Sequence, residues 1–233
     1  MRYTPCGDAA FTIELGTQAN LLLTRTIAAL HAALARAVPA GFIESVPGLV
    51  SLTVFFDPDV TSAAELQQDI TRLIHEGRHA PAASRTWHIP VCYSGEYAPD
   101  LAAVAAACGL TPDEVVAAHT GRAYTVYLLG FSPGFPYLGD LDPRLELPRR
   151  VEPRTRVPAG SVAVATRYCA IYPQTTPGGW HLIGRTPVTL FDATATPPAL
   201  LAAGDTVRFY SVEAARYDAL MAESAAGRRL SPA

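Results

Sequence analysis

The sequence predicts an α+β protein in two parts, a ferredoxin-like split βαβ domain at residues 1–84 and a β-barrel domain at residues 85–233. The chain has 233 residues, which suffice for one large domain or two small ones. Strand-like runs alternate with two helix-like runs up to residue 93, whereas short strand-like runs between Gly and Pro turns dominate beyond residue 123. The segment GRHAPAAS, residues 77–84, is the best linker candidate.

Local signals in the first part give the order β-α-β-β-α-β. Asn20 is placed to cap the first helix. Ser62 and Glu65 form a capping box for the second helix, which we expect to end near Gly77. The predicted strands cover residues 10–15, 41–46, 50–56 and 86–93. This order is typical of a split βαβ unit, in which two helices pack on one antiparallel sheet.

The second part begins with two short helices and continues as strands. We expect Asp100 to cap an alanine-rich helix. Thr111, Pro112 and Glu114 have the types preferred at the start of a second helix, which reaches His119. The predicted strands cover residues 124–130, 161–166, 169–173, 180–186, 188–192 and 206–210, and a closing helix follows them. Short strands separated by turns are typical of a small barrel or sandwich.

Charge and composition exclude several partners. The formal net charge is −3, so we expect no general attraction for nucleic acid or for an anionic membrane, and any anion site must be local. The N-terminus lacks a signal-peptide pattern, and arginines interrupt the most apolar later run, which predicts a cytoplasmic protein that does not span a membrane. The four cysteines form no CxxC pair and no zinc spacing, so we expect reduced thiols, although two disulfides stay open.

The chain contains no lysine, and all 18 of its basic residues are arginines. This absence excludes a P-loop lysine, a Schiff base and a biotinylated lysine on this chain. Anion recognition must therefore depend on arginine, backbone amides or helix N-termini. Genome composition explains the loss of lysine equally well, so the absence limits the chemistry without proving a function.

The stretch GFSPGFPYLGD, residues 130–140, predicts a stiff, bent loop that is neither an ordinary helix nor a central strand. We expect Phe131 and Tyr137 to face a ligand cavity, and Gly134 to let the backbone approach the ligand. The alternative is an aromatic-plugged turn that closes a barrel.

Arginines in LPRRVEPRTRVPAG form a second candidate feature. Prolines hold this backbone extended, which suits directed binding of a carboxylate or phosphate group. We expect Arg149, Arg154 and Arg156 to bind substrate, the last two being aimed into a groove. The alternative is that Glu146 and Glu152 neutralise the arginines at the surface.

Three further residues complete the predicted substrate site: Gln174, Trp180 and Arg185. Gly178 and Gly179 place bare backbone beside Trp180, which predicts either a ligand shelf or a core filler. His119, at a helix end, is the candidate catalytic residue, as a general base or anion ligand, with a structural role as the alternative. No metal-ligand spacing and no Ser/His/Asp order stands out. The residues alone therefore indicate an arginine-rich binding groove on a β-barrel.

These motifs resemble those of a known family. The matching stretches are HT at 119–120, YTVYLLGFSPGFPYLG, LPRRVEPRTRVPAGSVAVA, IYP, TPGGWHLIGRTPVTLFD, GDTVRF, and near the N-terminus GDAAFTIEL and IPVCY. They are similar to the family that comprises the B subunit of 5-oxoprolinase, the sporulation kinase inhibitor of bacilli, and the first part of the carboxyltransferase region of urea carboxylase. The match covers nearly the whole chain. It implies an N-terminal α+β domain and a C-terminal cyclophilin-like β-barrel.

The resemblance also implies a reaction and partners. In the oxoprolinase, the complete system opens the lactam of 5-oxoproline to glutamate at the expense of ATP, with magnesium expected beside the nucleotide. The implied partners are a homologous second carboxyltransferase-type subunit and a lactam-utilisation subunit, and we expect the isolated chain to be inactive. Two alternatives stay open: a binding regulator that contacts a sensor histidine kinase, and a carboxyltransferase component acting on urea or allophanate with biotin carried elsewhere. We favour the role in the oxoprolinase, since a standalone chain of this form matches it directly.

Overall fold

A computed structural model describes residues 1–75, 84–225 and 230–232. The chain divides into two compact units, Met1–Ser84 and Arg85–Ala233. Each unit combines helices with a β-sheet, which confirms the predicted α+β class. Apart from Ser84, the predicted linker lies outside the described residues, as does the predicted helix end near Gly77. Within the described ranges, no single helix is long and apolar enough to cross a membrane.

The first unit is a four-stranded antiparallel sheet with two helices. Its strands are β1 (Arg2–Pro5), β2 (Ala10–Glu14), β3 (Phe42–Pro47) and β4 (Ser51–Phe56), in the order β1-β2-β4-β3, and its helices are α1 (Leu21–Ala37) and α2 (Ala63–His75). The side chain of Asn20 accepts a hydrogen bond from the N–H of Leu23 at 2.9 Å, as expected of a helix cap. The backbone N–H of Ser62 donates to the Glu65 carboxylate at 2.9 Å, so the predicted capping box is formed.

The predicted fourth strand of this sheet is wrong. Residues Thr86–Val91 form β5, which belongs to the sheet of the second unit, because Trp87, Ile89 and Val91 are buried in the core there. The place beside β2 is taken by β1, which is joined to β2 by a short turn. Sequence patterns do not reveal β1, because it has only four residues and ends in Pro5, a residue tolerated at a sheet edge.

In its described residues, the second unit has a seven-stranded sheet, a separate two-stranded sheet, three α-helices and two short 3-10 turns, at Gly95–Tyr97 and Pro143–Leu145. The large sheet runs in the order β12-β9-β10-β7-β6-β13-β5. Its other strands are β6 (Ala123–Leu129), β7 (Pro136–Gly139), β9 (Ser161–Ala165), β10 (Tyr168–Ile171), β12 (His181–Arg185) and β13 (Thr206–Ser211). The small sheet pairs β8 (Arg154–Val157) with β11 (Thr176–Gly178), and the helices are α3 (Leu101–Cys108), α4 (Pro112–Thr120) and α5 (Ala214–Ala225).

The large sheet is a nearly closed barrel. Its two ends meet where the N–H of Cys92 donates to the carbonyl of Arg185 at 2.8 Å and the N–H of Arg185 donates to the carbonyl of Cys92 at 2.9 Å. Alternate strand residues point to one face and form the main core, to which α3 and α4 add Val104 and Val115. The strand residues of this core include Ile89, Tyr124, Val126, Leu138, Val162, Val164, Ile171, Ile183, Val207 and Phe209.

Five predicted strands of the second unit are confirmed as β6, β9, β10, β12 and β13, but two expectations are wrong. Residues 136–139 form the central strand β7, because Pro136 starts the strand and leaves the pairing of Tyr137 and Leu138 with β10 intact. Residues 188–192 form no strand, and only an isolated bridge between Phe191 and Ala199 lies there.

Candidate functional site

An aromatic cluster lies on the face of the large sheet opposite to the main core. It joins Phe131, Phe135, Tyr137, Tyr172 and Trp180, and we call it the aromatic platform. The ring centroid of Phe135 lies 5.1 Å from those of Tyr137 and Tyr172 and 6.1 Å from that of Trp180. Small residues of β9 and β10 beneath the rings leave room for this packing: Ala163, Ala165 and Ala170.

Most of the aromatic platform is buried within the chain itself. Trp180 is only 5% exposed, and Phe135 and Tyr172 are more deeply buried, so these rings pack against one another. Trp180 therefore fills a core, which favours the structural alternative to a ligand shelf. A Cβ on Gly178 would collide with the ring of Tyr172, which explains why β11 carries glycine where it crosses this ring.

The charges of two arginines act on the phenol of Tyr172. The guanidinium carbon of Arg149 lies 5.9 Å from the ring centroid of Trp180. Burial raises the pKa of Tyr172, while the backbone N–H of Trp180, which donates to the phenol oxygen, and the charges of Arg149 and Arg154 oppose that rise. Two predicted binding residues, Arg149 and Arg154, are thus brought to the aromatic platform.

Asp100 connects this region through its buried carboxylate. The guanidinium of Arg154 donates to its two oxygens at 2.9 and 2.7 Å, and Arg150 donates at 3.2 Å. The backbone N–H of Leu182 in β12 donates at 2.7 Å. We call the three side chains of Asp100, Arg150 and Arg154 the arginine receptor.

The prediction that Asp100 caps α3 is wrong in its side-chain part. Asp100 precedes the helix, but its carboxylate makes no capping hydrogen bond, because it is directed at the arginines and at β12. Burial by itself would raise the pKa of this carboxyl group. Hydrogen bonds from Arg154 and Leu182, with the charges of Arg154 and Arg150, hold the pKa below its ordinary value.

In the loop at 130–135, the backbone of Gly134 lies close to another segment of the same chain. Gly134 has φ +76°, and a Cβ there would lie 2.8 Å from the Cβ of Phe191 and 3.2 Å from the carbonyl oxygen of Leu190. Its close approach is therefore to the chain's own 190–191 segment. Phe131 is 62% exposed, has φ 67°, and packs edge-on against Phe135. It lies at the rim of the aromatic platform.

Three predicted binding residues are not brought to the platform by any contact among the described residues. Gln174 and Arg156 are exposed, and alternation along β8 places Arg156 on the same face as Arg154. Arg185 lies where the barrel closes, with its guanidinium carbon 5.4 Å from the ring centroid of Tyr97. Binding roles for these three residues stay predictions.

His119 is completely buried in the barrel core. Its Nδ1 lies 2.7 Å from the phenol oxygen of Tyr93, its Nε2 lies 3.2 Å from the sulfur of Cys169, and its ring stacks on Phe209. Burial lowers the pKa of His119 to about 3, so the imidazole is neutral at pH 7. A catalytic role stays a prediction, and this geometry favours the structural alternative.

Sequence reasoning missed Asp100 and Tyr172 as site residues. Asp100 fits a helix-cap pattern, and no local pattern indicates that it pairs with Arg154, 54 residues later in the chain. The assembled site can bind an oxyanion, because several guanidinium groups converge at a half-buried surface. In the part of the chain that the structure describes, no group of three or more His, Cys, Asp or Glu side chains could hold a metal ion.

Comparisons with known proteins agree with the resemblance seen in the motifs. A protein-family model, the carboxyltransferase domain, subdomains C and D, matches residues 1–201. The chain is 41% identical to the 5-oxoprolinase B subunit of Bacillus subtilis (strain 168), over 94% of this chain and 95% of the relative. It is 46% identical to the 5-oxoprolinase B subunit of Escherichia coli O157:H7, over 72% of this chain and 77% of the relative.

Solved structures share the fold. The crystal structure of TTHA0988 matches with a TM-score of 0.78 at 39% identity, over 88% of this chain and 40% of that one. Urea carboxylase of Kluyveromyces lactis matches with a TM-score of 0.78 at 22% identity, over 98% of this chain and 23% of that one. The second likeness concerns the fold alone. On the family model and the two relatives together, this chain belongs to the carboxyltransferase-domain family of subdomains C and D.

Proposed function

We propose that this chain is a subunit of an ATP-dependent 5-oxoprolinase, which opens the lactam of 5-oxoproline to glutamate. The observation that carries the proposal is the similarity to proteins named as the B subunit of 5-oxoprolinase, at 41% identity over 95% of the Bacillus subtilis relative. The word subunit in that name supports a complex. We propose a homologous second carboxyltransferase-type subunit and a lactam-utilisation subunit as its partners, in a cytoplasmic hetero-oligomer whose barrel unit is cyclophilin-like.

The site supports a binding role for this chain within such a complex. A lactam carbonyl resists water until it is activated, and ATP, with magnesium, supplies that activation by phosphoryl transfer. The substrate carries a carboxylate, which suits the guanidinium groups of Arg149, Arg150 and Arg154. We propose ATP and its magnesium at the level of the complex, because magnesium that arrives with a nucleotide needs no dedicated cage of side chains on this chain.

The test is to produce the chain alone and together with the two proposed partner subunits, and to measure glutamate released from 5-oxoproline. We expect ATP-dependent release by the complex and none by the isolated chain, because His119, the candidate catalytic residue, is buried. Turnover by the isolated chain, with contaminating subunits excluded by mass spectrometry, would contradict the expectation that this chain is inactive without its partners. A complex that releases no glutamate would contradict the function.

The family description, a carboxyltransferase domain, favours one second candidate, a carboxyltransferase component, and the motif resemblance suggests urea or allophanate as what it acts on. The absence of lysine from the chain would require biotin to arrive on another protein. The same preparations distinguish the candidates. Carboxyl transfer to urea from a carboxylated biotin carrier, without glutamate release from 5-oxoproline, would replace the oxoprolinase by this activity.

A further inference from the structure

At Asp100, one negative charge faces two positive charges, and the structure so far gives no reason for this excess. One carboxylate receives hydrogen bonds from two guanidinium groups, those of Arg150 and Arg154. Arg150 also donates from Nε to the backbone carbonyl of Glu152, at 3.4 Å, rather than to that residue's carboxylate. Among the described ion pairs, these two arginines have Asp100 as their only acidic partner. The arginine receptor therefore carries one excess positive charge.

The two arginines are held in place while part of each stays accessible. The side chain of Asp100 is 6% exposed, whereas those of Arg150 and Arg154 are 31% and 25% exposed. Asp100 is itself fixed to β12, since its carboxylate accepts from the N–H of Leu182 and its own N–H donates to the carbonyl of Leu182 at 3.0 Å. The backbone N–H of Arg150 donates to the carbonyl of Gly179 at 2.8 Å. Both guanidinium groups thus have a defined orientation before any ligand arrives.

Asp100 does not make the hydrogen bond to the helix that an aspartate in its position usually makes. An aspartate before a helix usually accepts from the first free N–H groups, which stabilises the helix. In α3 that interaction is absent, although the residue has the position for it. A carboxylate that makes no bond to its own helix and instead holds two partly exposed arginines is the arrangement expected of a group that positions a binding site.

We propose that Asp100 is the positioning residue of an oxyanion receptor whose ligand-contacting groups are Arg150 and Arg154. The ligand is a carboxylate or phosphoryl group, since both present paired oxygens to the N–H fork of arginine. The choice of 5-oxoproline as a probe rests on the proposed function, whereas the choice of inorganic phosphate rests on the geometry alone.

The variant Asp100→Asn separates positioning from simple charge. Asparagine keeps the size of the side chain and can still accept from the N–H of Leu182, but it cannot hold two guanidinium groups as a carboxylate does. It also makes the site more positive. A patch that binds anions by charge alone would therefore bind them more tightly in Asp100→Asn, whereas a positioned receptor would bind them at least tenfold more weakly.

The experiment is isothermal titration calorimetry of the full chain at low ionic strength, with inorganic phosphate and with 5-oxoproline as separate probes. We expect the wild-type chain to bind at least one probe, and both Asp100→Asn and Arg150→Gln to bind it at least tenfold more weakly. The matched control is Asp142→Asn, because Asp142 also precedes a short helical turn and pairs with an arginine, Arg144, at 2.9 Å. We expect this control to bind as the wild type does.

Each outcome decides something. Unchanged or tighter binding by a folded Asp100→Asn chain would overturn the positioning role, and a wild-type chain that binds neither probe would overturn the receptor. If Asp100→Asn fails to fold, as judged by circular dichroism, Arg154→Lys decides, since it keeps the positive charge but loses the fork that pairs with both oxygens of Asp100, and binding as tight as that of the wild type would overturn the positioning role. Binding of phosphate but not of 5-oxoproline would support the receptor and assign it to phosphoryl oxygens, leaving the proposed function to the glutamate assay.

Discussion

A hydrogen bond of 2.7 Å joins the phenol oxygen of Tyr93 to Nδ1 of His119 inside the barrel. The pKa of His119 falls to about 3 in the folded chain through burial, and its ordinary value is 6.5. Between these values the unfolded chain binds a proton that the folded chain does not. Stability should therefore be lost as the pH falls, by about 1.4 kcal/mol per pH unit at most.

This relationship predicts a loss of about 2 kcal/mol in the free energy of unfolding between pH 7 and pH 5. Urea denaturation at the two pH values measures it. His119→Gln should remove most of the loss, because glutamine keeps polar atoms near Tyr93 and Cys169 but does not titrate. The control His88→Gln removes an exposed histidine of β5 and should leave the loss in place. Equal pH dependence in both variants would contradict the assignment.

Gly134 should be intolerant of any side chain. A Cβ there meets Phe191 at 2.8 Å and also suffers the positive φ, so Gly134→Ala should cost about 3 kcal/mol of stability. The matched control is Gly109→Ala, because Gly109 has φ +67° and no atom within 4 Å of the added Cβ. It should cost only about 1 kcal/mol. Similar melting temperatures for the two variants would show that the contact with Phe191 is unimportant.

Substitutions of Phe131 and Phe135 should change the free energy of unfolding by very different amounts, although the two residues are neighbours on the aromatic platform. Phe131→Gly relieves the positive φ and loses little buried surface, so the free energy of unfolding should change by less than about 1 kcal/mol. Phe135→Ala empties a buried site and should cost about 3–5 kcal/mol. Thermal and urea unfolding test the stability. If Phe131 lines the ligand site, glutamate release by the complex should fall in Phe131→Gly despite intact folding.

Arg154 should contribute to stability, whereas Arg156 should not. Removing Arg154 leaves the buried carboxylate of Asp100 with fewer donors, so Arg154→Met should cost about 2 kcal/mol. Arg156→Met, two residues along β8, should stay within about 0.5 kcal/mol of the wild type. Because the pKa of Asp100 is lowered on folding, its stabilisation is present above pH 3.8 and is lost as the pH falls through the lowered value. The difference between the variants should therefore shrink in strong acid.

Local sequence signals predict where helices start. They do not predict the pairings between strands that lie far apart in the chain. The caps at Asn20 and Thr111 depend on neighbours three residues away, and the structure forms both. The assignment of residues 86–91 to a sheet depends on β13, about 120 residues later, which no local pattern reveals.

At the candidate site, too, the sequence indicates conspicuous residues but not the contacts between distant ones. Arg149, Arg154, Tyr137 and Trp180 stand out in the sequence because arginines and aromatics are conspicuous between prolines and glycines, and their binding roles stay predictions. The sequence predicts a helix cap at Asp100, because its partners in β8 and β12 become neighbours only when the barrel forms. The sequence predicts that Gly134 lets the backbone approach a ligand, and it gives no local signal for the contact of Gly134 with Phe191, 57 residues later.

The parallel pairing of β5 with β13 also constrains how the barrel is made. β5 opens the second unit, yet its partner in the sheet, Thr206–Ser211, is the last strand of that unit along the chain. A nascent chain that has reached residue 201, where the family match ends, still lacks the strand that lies between β5 and β6. Closing so long a loop is slow, and the unpaired edge of β6 is exposed to wrong pairing until it closes. The barrel is therefore completed only after its final strand has been translated, and until then the chain is open to aggregation at that edge.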